Sequence, residues 1–312
     1  MGESTVAAGT TFADWTAGRK GGVAITGASG WIGSALVHFV LQAAPPDAPI
    51  PLRLFGSRPR MLEIAGRRLT VESLGDAAPL GDGDWLIVHL AVAGGDPDGL
   101  KAANDALLDQ AFGLAQTGSM RRFVYASSGA VHQTGGSPKK RAYAGMKRAQ
   151  EAAVRDWAAR TGAPILIPRI FNVGGPYINP IQNYALGDFI QQALTGGAIR
   201  IEARQAVIRS YVHLTEFARV TFDLALNGED GLAFDTAGSE VVEMADLAKA
   251  VGRALELDLD IRRPPMEPGE DRYVGDGAVY QAALARAGAA PIGLDRIIRD
   301  TAAYLKELRP GG

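Results

Sequence analysis

Cysteine is absent from this chain of 312 residues. That excludes disulfides, thiolate nucleophiles and cysteine-held metals, and it makes a reducing cytoplasm the expected setting. Histidine occurs four times, at His38, His89, His132 and His213, with no spacing that suggests a metal site. Neither sign of charge dominates. The 32 basic and 34 acidic residues leave a formal net charge of −2, so the chain as a whole is not drawn to nucleic acid or to an anionic membrane. No apolar run reaches the roughly 18 residues of a membrane-spanning helix. Residues 1–20 lack the continuous apolar stretch of a secretory signal, so none is expected there.

What is present is a large apolar fraction, 47% of residues, enough for a sizeable core. Short apolar runs at Val23–Thr26, Trp85–Leu90, Phe123–Ala126 and Ile165–Ile167 read as fully buried parallel strands. Between them, Ile32, Leu36, Phe39 and Val40 fall on one helical face, as do Met146, Ala149, Ala153 and Trp157. This alternation predicts an α/β fold with a doubly wound parallel Rossmann sheet. From Asn172 onward, Gly- and Pro-containing segments interrupt short helices, which suggests a smaller substrate-binding lobe. The expected division is an N-terminal arm at 1–18, read as a disordered segment, and a dinucleotide-binding domain at 19–171, to which 209–236 return. A substrate lobe takes 172–208 and 237–312.

Residues 23–37, VAITGASGWIGSALV, read as strand, glycine turn and helix, with Gly27, Gly30 and Gly33 in a T-G-x-x-G-x-x-G pattern. Glycines permit the tight turn and the approach of backbone to a pyrophosphate, and the helix N-terminus favours the anion. About 20 residues on, a carboxylate is expected if the ligand is NAD. The stretch LRLFGSRPR offers Ser57 and Arg58 instead, with Arg53 or Arg60 nearby, all suited to a 2′-phosphate. NADP(H) is therefore the favoured cofactor and NAD(H) the alternative. Next comes Ser128, at the end of the third strand, and then Tyr143 and Lys147, spaced to share a helix face. A cationic Lys147 is expected to lower the Tyr143 pKa, so that Tyr143 exchanges a proton with a substrate oxygen held by Ser128.

The ordered series TGASGWIG, HLAV, FVYASSGAV, YAGMK, PRIFNVGGP, RSYVH and EPGEDRYVGD resembles the extended short-chain dehydrogenase/reductase family, the nucleotide-sugar epimerases, dehydratases and reductases. The resemblance spans residue 21 to about residue 308. It implies Ser128, Tyr143 and Lys147 as the catalytic triad, with Ser128 rather than Ser127 at the family position. It adds Ser29, Trp31 and Ile32 in the glycine turn, and Leu90, Ala91 and Val92 after the second of those strands, to the cofactor contacts. It implies that Asn172, Arg209 and Arg272 contact a nucleotide-sugar substrate, and that the chain forms a homodimer through helices around 98–117 and 143–160.

Three departures narrow the chemistry. Dehydratases of that family carry Thr-Asp-Glu where this chain has Ser128, Gly129 and Ala130, so elimination of water is not expected. His132 replaces a usual tyrosine beside the sugar pocket, and Glu267 stands in place of a frequent arginine. His89 and His213 are read as structural. The basic run Lys139, Lys140 and Arg141 is read as a solvated loop, with no aromatic stripe to suggest nucleic acid. The favoured activity is NADPH-dependent reduction of a nucleotide-linked 4-keto-6-deoxyhexose. The alternative is a 4-epimerase with tightly bound NAD, and the remaining one is a non-catalytic NAD(P)-sensing protein.

Overall fold

The computed structural model describes residues 11–17, 21–44 and 50–308, apart from the side chains of Pro97 and Asp98. The chain enters through a short helix, α1 (Phe12–Ala17), followed by β1 (Val23–Thr26) and α2 (Trp31–Ala43). Then come β2 (Leu52–Gly56), β3 (Arg60–Ile64), β4 (Arg67–Ser73), β5 (Trp85–His89) and α3 (Pro97–Ala115). They are followed by β6 (Met120–Tyr125), β7 (Ser127–Ser128), α4 (Pro138–Thr161) and β8 (Ile165–Ile170).

Among the described residues, nine strands form one sheet in the order β12-β8-β6-β5-β1-β2-β4-β3, with β7 beside β8 and β12 at Leu232–Asp235. All of these strands pair in parallel except β3, which runs antiparallel to β4 at the edge. The period of two sorts the side chains cleanly. Val23, Ile25, Leu86, Val88 and Val124 face one core, which includes Leu36 and Val37 of α2. Ala24, Phe55, Ile87, Phe123 and Tyr125 face the other, with Leu108 of α3 and Val154 and Trp157 of α4. Both faces are covered, so β1 and β5 are buried throughout.

Two features differ from the expected pattern. No helix joins β2 to its parallel neighbour β4; a hairpin does so, turning at Ala65 and Gly66 with φ of 51° and 71°. Two positive φ values in succession match a type I′ turn. At the N-terminus, residues 1–10 and 18 of the expected arm lie outside the described residues, but Phe12 is buried against Phe39 and Phe222. That part of the arm is packed structure.

The strand order reverses at β1, where β2 lies on one side and β5 on the other. A crevice opens there at the carboxyl ends of the strands. Above it sit β9 (Asn172–Gly174), α5 (Ala185–Leu194), β10 (Ile199–Arg200) and β11 (Ala206–His213). After α6 (Leu214–Asn227) and β12, the chain adds β13 (Val241–Glu243), α7 (Met244–Leu255), β14 (Ile261–Arg262) and β15 (Glu270–Tyr273). It ends in α8 (Ala278–Arg286) and α9 (Leu294–Glu307). β11 is the hub of this region and pairs with β9, β13 and β15. α6 packs back on α2, below the crevice. Among the described residues no helix is long and apolar enough to cross a membrane.

Candidate active site

The crevice is a cleft of about 1320 Å³. Its floor is the turn after β1. Gly27 has a φ of +70°, and a Cβ there would lie 2.8 Å from the Ala91 nitrogen. A Cβ on Gly33 would lie 2.2 Å from the Gly27 carbonyl oxygen. Only glycine lets α2 start this close to the turn. No side chain caps α2 at Gly30, so its first N–H groups remain available to an anion, with the positive end of the helix dipole behind them. This is a backbone cradle that fits a dinucleotide pyrophosphate.

Gly27, Ser29, Gly30, Trp31, Ile32, Gly33, Leu90, Ala91 and Val92 all line the cleft. The Thr26 hydroxyl ties the last of these down, accepting from the Ala91 N–H at 3.3 Å and bonding His89 Nδ1 at 2.8 Å. Burial, then the charge of Lys147, push the His89 pKa down to about 3, so this histidine is a neutral structural group.

Beyond β2, Gly56, Ser57 and Arg60 line the cleft and Arg58 does not. Arg58 stays exposed in the link to β3, whereas Arg60 opens that strand beside the crevice. Arg53 is committed elsewhere. It bonds both carboxylate oxygens of Glu72, at 2.9 and 2.5 Å, and the carbonyls of Ala78 and Pro79.

Ser128, Tyr143 and Lys147 of the expected triad all line the cleft. Ser128 follows β6, and its Oγ accepts from the Ala130 N–H at 3.2 Å. The neighbouring Ser127 hydroxyl is spent on buried Glu151, at 2.6 Å. Tyr143, Lys147 and Glu151 stand at four-residue intervals along α4, which starts at a Ser137 cap and ends at left-handed Gly162. The third of these was missed in the sequence, although its spacing was visible. Burial works to raise the Glu151 pKa, but hydrogen bonds from Arg169 and Ser127 outweigh it and hold the carboxylate ionised.

Lys147 is buried, donating to the Ala126 carbonyl at 2.9 Å and the Tyr125 hydroxyl at 3.2 Å. Burial lowers its pKa to about 7, against the opposing pull of Glu151. The expected depression of Tyr143 by Lys147 is not found. Burial raises the Tyr143 phenol, and the interaction that lowers it is with Ser128. Lys147 directs its amine at Tyr125 and Ala126 instead.

Asn172 and Arg209 line the cleft, and Arg272 does not. Side chains alternate along β15, so Arg272 is exposed while Tyr273 enters the cleft. Tyr273 was missed in the sequence, where nothing fixed the phase of that strand. Arg209 is partly neutralised by Asp271 at 3.1 Å and lies 5.8 Å from the Tyr273 ring centre. The Asn172 amide donates to the carbonyls of Ser210 and Tyr273. His132 lies outside the lining, half-exposed and bonded to Asp235 at 3.0 Å. Glu267 is exposed and pairs with Arg204. Lys139–Arg141 form the first turn of α4 rather than a loop, and Lys140 lines the cleft. Among the described residues no cluster of His, Asp or Glu could hold a metal.

A model described as the NAD dependent epimerase/dehydratase family matches residues 23–236. UDP-glucuronic acid decarboxylase 6 of Arabidopsis thaliana is 26% identical over 126 residues, 40% of this chain and 36% of that protein. The dTDP-glucose 4,6-dehydratase of Escherichia coli is 25% identical over 148 residues, 47% of this chain and 40% of that one. The chain thus matches less than half the length of these curated relatives. In structure it is similar to UDP-N-acetylglucosamine 4-epimerase from Methanobrevibacter ruminantium, in complex with UDP-N-acetylmuramic acid. The TM-score is 0.71 at 19% identity, covering 92% of this chain and 99% of that one. UDP-glucuronic acid 4-epimerase from Bacillus cereus, in complex with NAD, gives 0.69 at 17% identity, covering 92% and 99%.

Proposed function

This chain belongs to the NAD dependent epimerase/dehydratase family, and from that premise we propose an NADPH-dependent reductase acting on the 4-keto group of a nucleotide-linked 4-keto-6-deoxyhexose. The charge of the cleft carries this reading. Among the described residues its lining holds Arg60, Lys140, Lys147 and Arg209, and not one Asp or Glu. Such a surface suits a ligand rich in phosphate. At the end of β2, where a carboxylate would bond a ribose 2′-hydroxyl and repel a 2′-phosphate, stand Gly56 and Ser57 with Arg60 beside them. That supports NADP(H) over NAD(H).

The cradle of Gly27–Gly33, with Leu90–Val92, would hold the dinucleotide on the 19–171 and 209–236 part of the chain. The sugar nucleotide would lie against 172–208 and 237–312, near Asn172 and Arg209. When bound, the dinucleotide supplies the hydride. Tyr143 protonates the substrate oxygen as it becomes an alkoxide, and the Ser128 hydroxyl bonds that same oxygen. Lys147, one helical turn along α4 from Tyr143 and with its pKa near 7, adds a cation to the site in its protonated form. The setting is read as cytoplasmic. A homodimer through α3 and α4 is part of the proposal, and sedimentation would test it.

Purified protein given NADPH and a dTDP- or GDP-4-keto-6-deoxyhexose should consume NADPH absorbance. Tyr143→Phe and Lys147→Ala should each cut the rate by about a hundredfold or more; full activity in both would overturn the roles assigned. A 4-epimerase is the second reading, favoured by the NAD-bound 4-epimerase among the similar structures. It requires NAD retained through purification and no net NADPH oxidation.

A further inference from the structure

Two tyrosines converge on one serine. The Ser128 Oγ interacts with Tyr143 on α4 and lies 3.2 Å from the hydroxyl of Tyr273, which arrives 145 residues later on β15. A serine hydroxyl offers one proton and two lone pairs. The Ala130 N–H already occupies one lone pair at 3.2 Å. If Tyr273 donates to the other, Oγ has no acceptor position left, and its proton must point at Tyr143 and the space beside it. The other acceptor near Tyr273, the Ile170 carbonyl, is at the longer distance of 3.5 Å. Tyr273 is held in place by its ring, packed 4.6 Å from Phe171, and by the pairing of β15 with β11, where it sits opposite Arg209.

We infer that Tyr273 is a positioning residue that fixes the direction of the Ser128 hydroxyl proton and so links the substrate half of the cleft to the Tyr143 proton donor. The inference rests on the proposed roles of Ser128 and Tyr143. Tyr273 touches the serine rather than the reacting atoms. Its effect therefore appears only while Ser128 is present.

The 312-residue chain, labelled at the tyrosine Cζ with carbon-13, carries eight tyrosines, few enough to resolve, and Tyr143→Phe assigns the Tyr143 signal. Tyr273→Phe keeps the ring and its packing, and removes only the hydroxyl. It should move the Tyr143 resonance and raise its titration midpoint by about half a unit or more. In a Ser128→Ala background the same change should leave the Tyr143 signal where Ser128→Ala alone puts it. An unmoved Tyr143 signal in Tyr273→Phe, or an equal movement with and without Ser128, would overturn the inference. With keto-sugar and NADPH, Tyr273→Phe should lower kcat about tenfold with KM held within about twofold; a change in KM alone would count against it. If wild-type protein turns over no such sugar, the reductase reading fails while the tyrosine spectra still decide the role of Tyr273.

Discussion

The loop LFGSRPR sets up a direct test of cofactor choice. Arg60 opens β3 and lines the cleft with Ser57 and Gly56, while Arg58 is exposed and Arg53 is bound to Glu72. A guanidinium on a phosphate forms charge-assisted hydrogen bonds worth about 1.5–3 kcal/mol. Arg60 is itself exposed, so the lower end applies, about tenfold in Kd, and the effect should shrink as salt rises. Arg60→Ala should therefore weaken NADPH binding about tenfold and leave NADH binding unchanged. Arg58→Ala should leave the binding of both dinucleotides unchanged. Gly56→Asp supplies the reverse change. A Cβ at Gly56 would meet Val71 Cγ1 at 3.2 Å and the Arg58 carbonyl oxygen at 3.7 Å, so a small shift of one valine branch makes room. The new carboxylate can accept from a ribose 2′-hydroxyl and repels a 2′-phosphate. Gly56→Asp with Arg60→Ala should invert the preference. Calorimetric titration of the variants with both dinucleotides measures this. Equal weakening of NADPH and NADH by Arg60→Ala would refute the reasoning, as would Arg58→Ala matching it.

Further outcomes follow from buried groups. Lys147 has a pKa of about 7 in the fold against an ordinary 10.5. Between those values the folded protein binds fewer protons than the unfolded chain, so wild-type stability rises with pH through that window. Lys147→Met removes this rise. Urea unfolding at about pH 6.5 and 9.5 should show a gain of up to about 3 kcal/mol in wild type that the variant lacks, and parallel behaviour would refute it. Arg169→Ala strips Glu151 of its two-bond partner and should cost about 2–3 kcal/mol, seen as a lower urea midpoint. Phe12→Ala empties the contact among Phe39, Phe222 and α1 and should cost about 3 kcal/mol; a silent change would mean that α1 does not support the core.

How far the sequence could be read depended on whether the signal was local. β1, β5, β6 and β8 announced themselves through the short apolar runs within them, because both faces of a parallel sheet are buried. Tyr143 and Lys147 were legible because four residues is one helical turn. The β3–β4 hairpin was not, since its exposed positions include the charges Arg60, Glu63, Arg67 and Arg68, and its turn uses Ala65 where Asn or Asp would have signalled it. Because β3 begins at Arg60, that residue rather than Arg58 faces the cleft. For β15 the missing information was phase. Only the register Arg209↔Tyr273 decides that Tyr273 turns inward and Arg272 outward, and register is a property of two strands.

The carboxylates around the cleft complete the chemical argument. Glu151 is held by Arg169 and Ser127, Asp271 by Arg209, and Glu72 by Arg53. Asp235 is taken up by His132 and the Asp276 N–H. None of them lines the cleft, and each is bonded to a donor behind it. Eliminating water from a sugar needs an acid at the leaving oxygen and a base at the neighbouring carbon. The positions after Ser128 are Gly129 and Ala130, which offer neither, and no described carboxylate reaches the lining to replace them. Around Ser128 the lining offers the hydroxyls of Ser128 and Tyr143 and the Lys147 amine, a set suited to giving and taking one proton at one oxygen. Under the proposed function that set serves carbonyl–alcohol interconversion, the step that ketone reduction and epimerisation share, and the charge at the end of β2 is what would separate them.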